Sequence, residues 1–130
     1  MMNYINSLIL GMVLLFANGS SYAQSKLKPV EKLFAGVWVD NKTSRHLEIS
    51  FHKGYATIID WTSNMQKRES GDIYKAFLKN GKLVMPEDTE HHAPYSEIRF
   101  KNNTLIYLTK DIGIGKKPLW DKEVFTRKKR

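Results

Sequence analysis

The chain contains no cysteine. That excludes disulfides, thiol nucleophiles, cysteine-ligated zinc and the acylated cysteine of a bacterial lipoprotein anchor. Helix signals are scarce, and no internal repeat, domain linker or low-complexity stretch interrupts the chain. Catalytic signatures are missing too: there is no Gly-x-Ser-x-Gly, no phosphate-binding glycine loop and no His-Glu-x-x-His. A non-catalytic role without a cofactor is therefore expected. Charged side chains are also absent from residues 1–23.

That uncharged N-terminus carries a signal of its own. Residues 8–17 (LILGMVLLFA) form an apolar run followed by polar Asn18-Gly19-Ser20-Ser21. The run is too short to span a bilayer, which takes about 20 apolar residues. It matches the apolar core of a secretory signal peptide, and Ser21-Tyr22-Ala23 places small residues at a cleavage site. The expectation is a signal peptide over 1–23, cleaved after Ala23, and a secreted or periplasmic protein. Residues 24–130 then suit one domain.

Positive charge is what the remainder has in excess. The formal net charge is +8, and the last four residues, Arg127-Lys128-Lys129-Arg130, are all cationic. Such a tail attracts an anionic or envelope surface. For an exported protein, nucleic acid is not expected as a partner, and a monomer is.

Short β segments separated by turn residues fill most of the chain. Strands are expected over 37–39, 46–52, 55–62, 72–78, 82–85, 95–100, 104–109 and 123–127, after one helical turn over Pro29-Val30-Glu31-Lys32-Leu33-Phe34. In His46-Leu47-Glu48-Ile49-Ser50-Phe51-His52 the apolar residues alternate strictly, so Leu47, Ile49 and Phe51 face a core. Asn80-Gly81 carries the pair of residues that a type I′ hairpin turn requires, and Lys101-Asn102-Asn103 marks another hairpin. About eight strands joined by tight turns make an antiparallel meander. An open sheet of that length leaves two unpaired edges, and closure removes them. The expected fold is all-β: a small closed barrel of about eight strands with a short N-terminal helical turn.

The stretch Leu33-Phe34-Ala35-Gly36-Val37-Trp38-Val39-Asp40 sharpens this. A helical turn, Gly36-x-Trp38 on the first strand, a meander and a last strand ending in Arg127 resemble the calycin group. The closest likeness is to the short lipocalin-like exported domains common in Bacteroidetes. The resemblance implies a lipocalin-like barrel in which Trp38 closes one end and packs against Arg127, with Gly36 permitting close approach there. The chain is shorter than secreted lipocalins and lacks their cysteines and C-terminal helix, which implies a shallower barrel.

Three features are candidates for function. The chain has 3 Trp, 6 Tyr and 6 Phe, and such side chains combine apolar area with, for Tyr and Trp, a polar tip. Trp61, Phe77 and Tyr107 are expected near a ligand. The segment 111–120 is irregular, glycine-containing and unusually apolar for a loop, so Ile114 and Trp120 are expected at the ligand or at a partner surface. Glu87-Asp88-Thr89-Glu90-His91-His92 has metal-ligating types but lies between Pro86 and Pro94, where it reads as a solvated acidic turn. The expected function is binding of a small hydrophobic or amphipathic ligand. The alternative is a solid-core barrel whose outer surface meets a protein or envelope partner, in an inhibitor, immunity or structural role.

Overall fold

Period-two alternation and positive-φ turns together direct this chain into a closed antiparallel barrel. The computed structural model describes residues 26–110 and 119–129. The expected signal peptide over 1–23, and Ile114, lie outside the described residues. Helix α1 covers Pro29–Phe34. Eight strands follow: β1 Gly36–Asp40, β2 Arg45–Phe51, β3 Ala56–Thr62, β4 Asp72–Lys79, β5 Lys82–Met85, β6 Ser96–Lys101, β7 Thr104–Lys110 and β8 Trp120–Arg127. Each pairs with its sequence neighbour, and β8 returns to β1, so the barrel has the order β1 to β8 without a crossover. No helix among the described residues is long and apolar enough to cross a membrane.

The turns explain the tight hairpins. Asn80 and Gly81 have φ of 51° and 78°, and Asn102 and Asn103 have 52° and 60°. Positive φ at both central residues matches the right-handed twist of the flanking strands. At β2–β3, Gly54 supplies φ of 94°, and the His52 amide donates to the Tyr55 carbonyl at 2.8 Å. That bond makes Tyr55 part of the turn, and β3 starts at Ala56.

Alternation assigns the two faces. Trp38, Leu47, Ile58, Leu83, Ile98, Leu105 and Phe125 are all 0% exposed and form the interior core. Burying each such side chain contributes roughly 1.5–3 kcal/mol. Consecutive hairpins place the connections at opposite ends. The tight turns 52–55, 80–81 and 102–103 share one end with Leu33 and Phe34, which lead into β1. The 41–44 turn and the longer connections 63–71 and 86–95 share the other, which we call the mouth.

One boundary differs clearly from the sequence expectation. β8 begins at Trp120, not at 123, and pairs with all of β7 from Lys110↔Trp120 to Thr104↔Thr126. Trp120, Asp121 and Lys122 are all exposed, so no buried alternation marks this part of the strand.

Candidate functional site

At the mouth, strand alternation carries charge into the barrel. Leu47 and Ile49 face inward, so Arg45 on the same strand does also; Ile58 brings Asp60 inward, and Phe125 brings Glu123. The three meet. Arg45 donates from Nε to Asp60 Oδ1 at 3.0 Å and from Nη2 to Oδ2 at 2.7 Å, a bidentate pair. Its Nη1 donates to Glu123 Oε1 at 2.6 Å. The guanidinium lies over the Tyr107 ring, 4.8 Å from its centroid, and 5.7 Å from that of Phe125. One side chain thereby joins β2, β3, β7 and β8.

A second carboxyl extends the network. Asp40, at the end of β1 and only 8% exposed, is hydrogen-bonded to Glu123. Thr43 also donates to Glu123 Oε2 at 3.3 Å, and the Lys42 amide donates to Asp40 Oδ1 at 2.9 Å. Two carboxyls in contact cannot both ionise easily. Burial and the bond to Asp40 push Glu123 up, against the pull of Arg45. The same bond, with the Lys42 amide, holds Asp40 below its ordinary value. The two carboxyls are thus shifted in opposite directions, as two interacting acids are. Burial alone would lower Arg45, but its bond to Asp60 and the charges of Asp60 and Glu123 outweigh that and keep it protonated.

Two phenols complete the mouth. Burial raises Tyr107, with Arg45 opposing; its hydroxyl donates to Met85 Sδ at 3.7 Å. Burial, then the charges of Asp72 and Asp60, pushes Tyr74 up to about 12. Tyr74 is 36% exposed, and its hydroxyl reaches Asp72 Oδ2 at 3.5 Å. Both phenols stay protonated at neutral pH, so they suit hydrogen bonding to a bound group and not attack on one.

The opposite end is built differently. Arg127 lies 4.2 Å from the Trp38 ring centroid, and the two residues are in register on β8 and β1. Its Nη1 donates to the Ala35 carbonyl at 2.7 Å and its Nη2 to the Leu33 carbonyl at 3.1 Å. Trp38 Nε1 donates to the Phe34 carbonyl at 2.8 Å. Phe100 meets Phe34 and Trp38 edge-on, at 6.4 and 6.3 Å. Gly36 has φ of 120°, and a Cβ there would sit 3.0 Å from Arg127 Nη1. A side chain at Gly36 is thus opposed by backbone conformation and by contact.

The residues expected at a ligand do not converge. Tyr107 faces the interior. Trp61 follows inward-facing Asp60 and so lies on the outer face, where its ring stacks on His46 at 4.9 Å and 16°. His46, expected on the water-facing side, is only 7% exposed under that stack, with Nδ1 2.8 Å from the Ser44 carbonyl. Phe77 is flanked by inward Ala76 and Leu78 and sits half-buried on the outside, opposite Val84. Trp120 also faces out, 46% exposed, with its ring edge-on to Tyr95 at 6.0 Å. In the 87–92 turn, Asp88, Glu90 and His91 offer ligand atoms within 4.8 Å of one another, but all three are exposed. His91 Nδ1 is held by Asp88 at 2.7 Å, which lowers the Asp88 carboxyl.

Arg45, Asp60 and Glu123 were legible in principle. Each continues the inward parity of an apolar strand toward the mouth: Arg45-x-Leu47-x-Ile49, Ile58-x-Asp60 and Glu123-x-Phe125. A search for aromatics and irregular loops passes over them. No family model, curated protein or solved structure matches the chain.

Proposed function

We propose that this is a lipocalin-like, non-catalytic binding protein, exported by its N-terminal signal, that takes a small amphipathic ligand at the mouth of the barrel. The observation that carries this reading is the Arg45–Asp60–Glu123 network inside the mouth, above the buried apolar core. Desolvating an arginine and several carboxyls costs several kcal/mol per ion, and well-packed apolar residues are often as stable or more so. Retaining charge there fits recognition of a polar head group. Tyr74 and Tyr107 add hydroxyls at the same place, above apolar side chains that pack the barrel below. In this reading the head group sits at the network and the apolar part of the ligand lies against the rim.

Native mass spectrometry of the protein purified from the periplasm, then of the denatured chain, tests this. An adduct released on denaturation, and weakened by Tyr74→Ala, supports the reading. A bare mass that persists after incubation with mixed fatty acids and lysolipids overturns it.

A second reading has its own observation. Leu119 is 71% exposed beside Trp120, and Val124 on the same outer face of β8 is 43% exposed. An apolar strip of this kind suits a protein or envelope partner. Loss of co-purified envelope material on Leu119→Ser with Trp120→Ser would favour it.

A further inference from the structure

We propose that the outer face of the β1–β8 closure is an anion site that takes a phosphate group. It lies outside the barrel wall, apart from the Arg45–Asp60–Glu123 network inside the mouth, and does not depend on the mouth reading. A groove of about 470 Å³ lies there, within the range of about 300–1,000 Å³ that small-ligand pockets occupy. Val39, Ser44, His46 and Thr126 form its walls, and Arg127, Lys128 and Lys129 border it.

The strands explain why a groove forms. β1 and β8 pair only at Trp38↔Arg127 and Val39↔Thr126. Beyond that seam the Lys128 amide donates to the Val37 carbonyl at 2.9 Å, which holds the chain past β8 alongside β1. Lys128 therefore begins from a fixed backbone, with Lys129 next to it. The stack of His46 on Trp61 fixes the opposite wall.

The charge is one-sided. No carboxylate lines the groove. By strand alternation the outward residues of β1, β2, β3 and β8 include a single carboxylate, Glu48, and Arg68 holds it in an ion pair. Asp40, adjacent in sequence, faces the interior and is engaged by Glu123 and the Lys42 amide. The Arg127 guanidinium is committed to the Leu33 and Ala35 carbonyls and the Trp38 ring. Among the described residues that border the groove, Lys128 and Lys129 are then the cations open to a ligand, and two ammonium groups match the double charge of a phosphate monoester better than a carboxylate. With Nδ1–H donated to the Ser44 carbonyl, His46 keeps its other ring nitrogen as an acceptor for a ligand hydroxyl. Ser44 and Asn41 add short polar groups at the rim.

The phosphate could come from a soluble ester or from a lipid head group, and the test separates these. Glycerol 3-phosphate, inorganic phosphate and acetate are titrated at constant ionic strength into the labelled protein while amide shifts are followed. In parallel, the protein is sedimented with phosphatidylcholine vesicles with and without phosphatidylglycerol. Saturable shifts centred on Val39, Ser44, His46, Thr126 and Lys128 with glycerol 3-phosphate, absent with acetate, identify a soluble ester. Sedimentation with only the phosphatidylglycerol vesicles, with line broadening at the same amides, identifies a head group. In either case Lys128→Gln with Lys129→Gln, both exposed and safe for folding, lowers affinity at least tenfold. Lys53→Gln with Lys101→Gln removes equal charge elsewhere and changes it less than twofold. Equal losses from the two pairs, equal shifts with acetate, or no response to any phosphate overturn the proposal.

Discussion

Both ends of this barrel set an arginine over an aromatic ring, and they use it in opposite ways. At the closed end Arg127 covers Trp38 and gives its N–H groups to the backbone carbonyls of Leu33 and Ala35. At the mouth Arg45 covers Tyr107 and gives its N–H groups to the carboxylates of Asp60 and Glu123. The first arrangement satisfies neutral carbonyls left by the end of a helix and ties the last strand to the first. The second concentrates opposite charges where the strands diverge into longer connections. Stacking alone therefore does not distinguish the two arginines. What the guanidinium donates to does.

The closed end offers the largest expected effect. Trp38 is 0% exposed, stacked by Arg127 and bonded through Nε1 to Phe34. Trp38→Ala leaves a large cavity, strips the Phe34 carbonyl of its indole donor and uncovers the Arg127 guanidinium, and is expected to lower stability by about 3–5 kcal/mol. Urea denaturation followed by far-UV circular dichroism measures it. A loss below about 1 kcal/mol would mean that this end is not what holds the barrel shut.

The mouth should behave differently under compensated substitution. Arg45→Met strands Asp60 and Glu123 without their cation. The Arg45 side chain is 27% exposed, so the cost sits at the low end of the range for buried pairs, about 3 kcal/mol. Adding Asp60→Leu and Glu123→Met removes the stranded charges and should recover at least half of that loss. Ligand uptake should not recover with it. Recovery of both would assign the network to folding alone. No equivalent rescue exists at the closed end, where the partners are main-chain carbonyls.

These differences also account for what the sequence made legible. The barrel, its strand count and its hairpins followed from alternation around Leu47, Ile49 and Phe51 and from Asn80-Gly81, because turn chemistry and burial pattern are local. The contact of Trp38 with Arg127 needs only that the first and last strands meet. The mouth was less legible because charged residues at strand ends read as solvated termini unless parity is followed past the last apolar position. Trp61 was misleading for the same reason: a large aromatic suggests the interior, yet its neighbour Asp60 is the residue that points there. The cationic residues that border the groove were legible in the sequence, but the groove itself was not, because it depends on how few residues β1 and β8 share.

Gly36 sharpens the comparison at smaller scale. Gly36→Ala places a methyl group against Arg127 Nη1 and holds alanine at φ of 120°. A loss of about 1–3 kcal/mol is expected, as for other residues held in such backbone regions. The change should move the Arg127 side-chain resonances and leave those of Arg45 in place. Gly54→Ala shares the positive φ, but nothing lies within 4 Å of its added Cβ. It should therefore cost less, and equal costs would remove the contact with Arg127 from the account.

The smallest effect separates the two ends by pH. Glu123 is raised above its ordinary 4.5, so its contribution to stability is complete below 4.5 and is lost as pH rises through the elevated folded value. Asp40 is lowered from 3.8, so its contribution is present above 3.8 and is lost as pH falls through the depressed value. Glu123→Gln keeps the volume, can donate its amide N–H to Asp40 as the protonated acid does, and does not titrate. Relative to the native chain, this variant should gain stability steadily as pH is raised from 4.5 to 7, whatever its offset from losing the charge beside Arg45. Trp38→Phe at the closed end touches no titrating pair, so its stability difference should stay flat over the same range. Thermal melts of the three proteins at half-unit pH steps read this directly. A flat difference for Glu123→Gln would mean that Asp40 and Glu123 do not titrate as interacting acids in the folded barrel. A sloping one for Trp38→Phe would mean that the two ends are coupled through the core between them.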